Sequence, residues 1–206
     1  MIITNPRSQQ YPQLQSYVTS DYREYAQPKM TQTHSDRVMI VISADQDIGE
    51  ADGMVTSLYN IELHVRVADC GNIYCYDPVW GVIGVCHSGW KWAHMNIIKN
   101  TINAMISLWS VPQNIFIRTG PCISWKNYQF WPEVKELFDE KYSFQTSQWY
   151  YLDVSKLHRD QLLWAWILAE HIIQSDICTF DTLELPSYRR QWPDSGRITW
   201  SIMQIE

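Results

Sequence analysis

The hydrophobic pattern becomes regular at Val38, where Val38-Met-Ile-Val-Ile42 forms a short, β-branched apolar run suited to a buried strand. Ile61, Leu63, Val65 and Val67 alternate with Glu62, His64 and Arg66, the period-two signature of a half-buried strand. Ile73-Tyr-Cys-Tyr76 and Val82-Ile-Gly-Val-Cys86 follow at hairpin-like distances. The period then changes. Ile98, Ile102, Met105, Ile106 and Trp109 share one face of a helix that Pro112 stops. Ile115-Phe-Ile117 reads as a strand, and Pro132 opens a short helix through Phe138. Trp149-Tyr-Tyr-Leu152 reads as a further strand, and Asp153 as the N-cap of a helix over 154–171. Within that helix Leu162-Leu-Trp-Ala-Trp-Ile-Leu-Ala169 falls short of the roughly 18 apolar residues of a membrane span. It predicts a core helix, with Trp164 and Trp166 inside. Ile198, Trp200 and Ile202 alternate with Thr199 and Ser201 in a closing strand. Strand clusters with three interspersed helices predict a single α+β domain with mixed sheets. Residues 1–30 carry the least pattern. Their glutamines and Pro6, Pro12 and Pro28 predict an extended arm ahead of a domain spanning 31–206.

Composition narrows the class. With 206 residues, 46% hydrophobic and 18% charged, the chain fits one domain and excludes a disordered or collagen-like one. A net charge of −6 with no long basic run speaks against a nucleic-acid module, and no membrane partner is expected. Five cysteines cannot all pair within the chain, and Met1-Ile-Ile-Thr-Asn-Pro-Arg-Ser has no apolar stretch of signal-peptide length. Reduced cysteines in a cytoplasmic monomer or homodimer are the expectation.

The chemistry gathers between Cys70 and Gly89. Four of the eight glycines (Gly71, Gly81, Gly84, Gly89) lie there with Cys70, Cys75, Cys86 and His87. Cys70 stands where the alternating strand gives way to a turn, and His87 where a strand gives way to a helix. Gln32-Thr-His-Ser-Asp36 offers a third donor, His34. Two imidazoles and a thiolate suit a three-ligand zinc site with an open fourth position, able to lower the pKa of bound water to about 7. Spacing alone leaves two readings open: metal ligands, or residues simply buried at turns. Asp69 and Asp52 are placed to orient a ligand histidine. Lys91, Arg189, Arg190 and Arg197 are candidate phosphate or substrate contacts. His64 reads as a supporting or surface residue, His94 and His171 as structural, and the other four cysteines as packing residues. Six histidines without an H-x-H pair exclude multicopper oxidation.

Thr31-Gln-Thr-His-Ser-Asp-Arg-Val38 resembles the Q-x-H-x-x-x-V segment of the YfiH-like proteins, also called laccase-domain or polyphenol oxidase proteins. Ala51-Asp-Gly-Met-Val-Thr56 is similar to their A-D-x-x-V-T element, Val67-Ala-Asp-Cys70 to T-A-D-C, and Cys86-His-Ser-Gly-Trp-Lys91 to H-A-G-W-R-G. Gly120-Pro-Cys-Ile123, Cys178-Thr179, Ser187-Tyr-Arg-Arg190 and Ser195-Gly-Arg197 follow in the family's order, so the resemblance covers about 31–206. It implies an α/β/β/α layered sandwich shared with the cytotoxic necrotizing factor domain. It also implies zinc on His34, Cys70 and His87, which would be the catalytic residues. Gln32, Asp52 and Asp69 would support them, and Arg189, Arg197 and Lys91 would bind substrate or phosphate. The implied activity is phosphorolysis or deamination of adenosine-type purine nucleosides, with nucleoside and phosphate as partners; some members act instead as peptidoglycan-editing amide hydrolases. Three departures stand out: Trp92 in place of glycine, Gly71-Asn72 in place of P-V, and a short N-terminal third lacking the family's arginine and paired-glycine segment. Two alternatives to the zinc enzyme therefore stay open. One is a metal-free hydrolase with Cys70 as nucleophile and His87 as base; the other is a metal-binding protein without activity.

Overall fold

The structure, a computed structural model, describes residues 12–19, 28–89 and 96–206. Fourteen strands are assigned among them: β1 Leu14–Thr19, β2 Lys29–Thr31, β3 Val38–Ile40, β4 Asp47–Glu50, β5 Gly53–Thr56, β6 Leu63–Val67, β7 Gly71–Asp77, β8 Val82–Ser88, β9 Phe116–Thr119, β10 Gln129–Phe130, β11 Ser143–Gln145, β12 Tyr150–Leu152, β13 Ile172–Ile173 and β14 Ile198–Gln204. The helices are α1 Ile97–Ser107, α2 Pro132–Lys135, α3 Val154–Trp164 and α4 Tyr188–Gln191.

The centre is a six-stranded mixed sheet in the order β13-β9-β7-β8-β5-β3. Its β7–β8 hairpin runs from Gly71 opposite Ser88 to Asp77 opposite Val82. Asp77 closes the turn by accepting the N–H groups of Val79 and Trp80 at 2.9 and 3.2 Å. Alternation along the two strands divides the core. Tyr74, Tyr76, Ile83 and Val85 face one way, onto the antiparallel sheet β1-β14-β6 and its Leu63, Val65, Val67, Ile198, Trp200 and Ile202. Ile73, Cys75, Val82 and Cys86 face the other way, onto Ile97, Ile98, Ile102 and Met105 of α1 and Leu162 of α3. Each fully buried aliphatic side chain contributes about 1.5–3 kcal/mol. The described layers are thus helix, sheet and sheet, in a single α+β domain with mixed sheets and few helices.

The structure departs from the sequence reading in several places. The arm read over 1–30 contains β1, which pairs with β14 from Leu14–Gln204 to Thr19–Thr199 and buries Leu14 and Val18. His64, on the face of β6 expected to be wet, is buried. The helix expected over 154–171 ends at Trp164. Trp166 takes a left-handed conformation (φ 65°), its N–H bonds Leu163 O, and Ile167 N–H bonds Leu162 O. That is a Schellman motif, and Ile167 packs back into the core beside Leu162. Trp109 (φ 73°) ends α1 in the same way, through Trp109 N–H to Ile106 O and Ser110 N–H to Met105 O. Trp109, Trp164 and Trp166 consequently project into solvent, at 74, 62 and 75% exposure, and are not core residues. Among the described residues no helix is long and apolar enough to cross a membrane.

Candidate metal centre

Three loops or strand ends bring His34, Cys70 and His87 together. Their donor atoms lie within 4.8 Å of one another, and the imidazoles of His34 and His87 meet edge-on at 4.6 Å. His87 is buried on β8, Cys70 is half-buried in the β6–β7 turn, and His34 is exposed, so the cluster opens to solvent on the His34 side. Gly89 lies in close approach to the cluster: a Cβ there would stand 3.0 Å from His34 Cδ2 and 3.3 Å from Cys70 Sγ and would press on both.

Asp52, fully buried just before β5, organises two of the three donors. Its Oδ1 lies 2.7 Å from His87 Nδ1. Its Oδ2 accepts the N–H groups of Thr33 (3.1 Å) and Ser35 (2.5 Å) and the Ser35 hydroxyl (2.9 Å). The Thr33–Ser35 loop is thereby closed around His34, whose backbone sits at φ 59°. One carboxylate therefore sets both the loop that presents His34 and the tautomer of His87, with Nδ1–H toward Asp52 and Nε2 left as the donor. Two imidazoles and a thiolate, one histidine braced by a carboxylate, form a set suited to a soft or borderline transition metal.

The electrostatics make the metal-free site a thiolate–imidazolium pair, from which a binding metal would displace the His87 Nε2 proton. Burial opposes ionisation of Cys70, but the charge of His87 and hydrogen bonds from His34 and His87 outweigh it and bring the thiol down to about 6. Burial likewise disfavours His87⁺, yet Cys70 and Asp52 raise it to about 9. Burial opposes the Asp52 carboxylate too, and bonds from His87 and Ser35 still hold it below the usual range. By contrast, burial raises Cys75, pushes Cys86 to about 12 and pushes Cys122 to about 11. All five cysteines are free. In metal-free protein at pH 7, iodoacetamide is therefore expected to alkylate Cys70 well before Cys75, Cys86 or Cys122. Because its pKa is depressed, Cys70 reactivity should rise through pH 6 and be nearly complete at pH 7. Peptide mapping against pH checks this, and a midpoint near the ordinary thiol value would refute it.

The other sequence candidates fall elsewhere. Asp69, expected to orient a histidine, instead accepts from Thr179 Oγ1 (2.6 Å), Ser187 Oγ (3.0 Å) and the Arg189 N–H (2.6 Å). Its φ of 77° turns the side chain away from the cluster and toward the C-terminal segments. Gln32 pairs its amide with the backbone of Arg66, accepting Arg66 N–H at 2.7 Å and donating to Arg66 O at 3.1 Å. It extends the edge of β6 as a strand neighbour would and so anchors the His34 loop. Arg189 lies over the Tyr128 ring at 5.6 Å and donates to Gln129 O at 2.7 Å. Arg190 is structural, its guanidinium spent on the carbonyls of Thr179, Phe180, Thr182 and Leu185. Arg197 bonds Ser195 and Gly196 of its own loop and lies over Tyr188. His171 stacks on Phe116. Lys91, Trp90, Trp92 and His94 lie outside the described residues.

Sequence reasoning passed over His158. It sits with Val154, Leu157, Gln161 and Leu162 on the buried face of α3. Burial and the charge of His87 push it down to about 3, so it is neutral. A histidine at i+4 from Val154 on a largely apolar helical face was the available signal.

Residues 13–205 match the family model described as multi-copper polyphenol oxidoreductase laccase. Purine nucleoside phosphorylase YlmD of Bacillus subtilis is 30% identical over 207 residues, covering 90% of this chain and 69% of that protein. A purine nucleoside phosphorylase of Aquifex aeolicus is 30% identical over 159 residues, covering 77% and 74%. The crystal structure of the Bacillus licheniformis hypothetical protein YfiH superposes with a TM-score of 0.79 at 27% identity, covering 85% of this chain and 72% of that one. YlmD from Geobacillus stearothermophilus gives 0.79 at 25% identity, with the same coverage. A family model spanning nearly the whole chain, together with relatives and solved structures that share its fold, assigns this chain to the laccase-like family of YfiH and YlmD.

Proposed function

We propose that this chain is a zinc-dependent enzyme of purine nucleosides, which cleaves adenosine-type substrates by phosphorolysis and deaminates adenosine. The observation that carries the reading is the convergence of His34, Cys70 and His87, with donor atoms within 4.8 Å of one another and His34 exposed. The purine nucleoside phosphorylase names of its relatives supply the substrate class. Copper oxidation is not supported: the described residues hold one three-donor cluster, short of the sites four coppers need. Zinc bound there would supply Lewis acidity and a water of lowered pKa. The chain's own residues do the remaining work. Asp52 fixes the His87 ring and the His34 loop, and Cys70 is held as thiolate. Arg189, its backbone pinned by Asp69 and its guanidinium laid on Tyr128, is our choice for the phosphate contact. Arg197 and Lys91 are the further anion contacts we propose. Five free thiols suit a reducing, cytoplasmic setting.

The test is metal analysis of the purified protein followed by adenosine assays with and without phosphate. Expected are about one zinc per chain, adenine only when phosphate is present, inosine in either case, and loss of both after chelation. Metallated protein that converts no nucleoside overturns the reading. One observation favours a second reading: the Cys70 thiolate beside His87 is a nucleophile next to a proton donor. Chelator-insensitive hydrolysis of an amide substrate, blocked by alkylating Cys70, would transfer the assignment to a cysteine hydrolase.

A further inference from the structure

The departure at Gly71-Asn72 has a structural counterpart on the helix-facing side of the sheet. A Cβ on Gly71 would stand 2.1 Å from Cε1 of His158 and 3.1 Å from its Nε2, so the ring occupies the space a side chain at 71 would take. Gly71 pairs with Ser88 across β7 and β8. Cβ positions of directly opposed residues lie about 4.5–5.5 Å apart. Ser88 is thus a close neighbour of the His158 ring, and it too faces the helices, since His87 points to the other side of β8. Both residues are buried, at 0 and 2% exposure. Ser88 Oγ and His158 Nε2 have no hydrogen-bond partner among the described residues. Two orphaned buried polar atoms on neighbouring, helix-facing positions are unfavourable unless something joins them, because an unmet buried polar group costs about 1–3 kcal/mol. A neutral imidazole and a hydroxyl both donate and accept, the complement of water and a poor match for an ion.

We infer that Ser88 and His158 bind one internal water molecule between the β7–β8 pair and α3. That water ties α3 to the two strand ends that present the cluster: Gly71 follows Cys70, and Ser88 follows His87. The site is thus a positioning device behind the candidate metal centre, independent of which reaction the centre performs.

The sign of a conservative substitution tests it. If Ser88 Oγ is merely unpaired, Ser88→Ala removes an unfavourable group and leaves stability unchanged or raised. If it holds water, Ser88→Ala raises the unfolding equilibrium constant roughly tenfold, as read in urea titrations. His158→Phe should do the same. The double variant should lose less than the product of the two, since either substitution alone releases the water. A high-resolution crystal structure should show one ordered water bonded to both atoms. Zinc affinity, read by chelator competition, should weaken in Ser88→Ala even in protein that turns over no nucleoside, which separates this inference from the proposed activity. Neutral or stabilising Ser88→Ala, multiplicative single effects, unchanged zinc affinity, or a protein group in place of the water would each overturn it. Should His158→Phe not fold, Ser88→Ala and the crystal structure still decide.

Discussion

Asp52→Ala is expected to destabilise the protein by about 3–5 kcal/mol, the usual loss when one partner of a buried ion pair is removed. It is also expected to weaken zinc binding roughly 10- to 100-fold, as loss of a carboxylate behind a ligand histidine does. The carboxylate is fully buried, and both oxygens are engaged: Oδ1 with His87 Nδ1, Oδ2 with Thr33 and Ser35. Alanine leaves His87 without its partner and three donors of the His34 loop unmet. Asp52→Asn separates the two effects. An amide keeps the shape and one acceptor oxygen. With that oxygen toward Thr33 and Ser35, its NH₂ faces His87 Nδ1, which must then accept, moving the ring proton to Nε2 and blocking the donor atom. Asn is therefore expected to retain most of the stability and still lose zinc affinity. Urea denaturation and chelator competition on the two variants check this pair of outcomes. Zinc affinity in Asp52→Asn equal to that of the unsubstituted protein would overturn the role assigned to Asp52.

Much of this site was legible in the sequence, for reasons that also explain what was not. Cys70 lies in the turn between two strands and His87 at the end of a third, all with strong apolar alternation, and strand ends beside glycines are where side chains are freed from the pleat to converge. β7 and β8 could be read as consecutive because hairpin pairing is local. The bonding partners of Asp69 could not be read, since Thr179 and Ser187 lie 110 and 118 residues away and nothing local marks them. The ends of α1 and α3 were overrun because tryptophan, unlike glycine, gives no warning of a left-handed C-terminal position. His158 was hidden for the opposite reason: it lies on a regular, largely apolar face, and only its packing against Gly71 reveals that the face meets the strand that begins just after Cys70. That His64 is buried is not encoded in period-two alternation, which marks only the apolar face.

Asp69→Ala is expected to be comparably damaging, through the opposite end of the site. Asp69 stands in a left-handed turn (φ 77°) that its short polar side chain tolerates, immediately before Cys70. From there it accepts from Thr179 Oγ1, Ser187 Oγ and the N–H of Arg189, while its carbonyl accepts from Ile123 N–H at 2.9 Å. Ser187 in turn caps α4 by accepting from Arg190 N–H at 3.2 Å. A single buried carboxylate thus joins the β6–β7 turn to two C-terminal segments and fixes where the backbone of Arg189 lies. Alanine leaves three donors unmet, each worth about 1–3 kcal/mol. The expected result is a loss of several kcal/mol, with faster amide hydrogen exchange over 179–190. If Arg189 contacts phosphate, the KM for phosphate rises more than kcat falls. Asp69→Asn keeps one acceptor oxygen for Thr179 but turns an NH₂ toward Ser187 and Arg189 N–H, so its exchange should quicken around 187–190 and stay slow at 179. Protection of 179–190 at the level of the unsubstituted protein in Asp69→Ala would show that these segments hold without the carboxylate. The contrast with Asp52 is what makes the pair informative. One carboxylate sets the His34 loop and the His87 ring, the other the backbone of Arg189, and substitution of each should move a different constant.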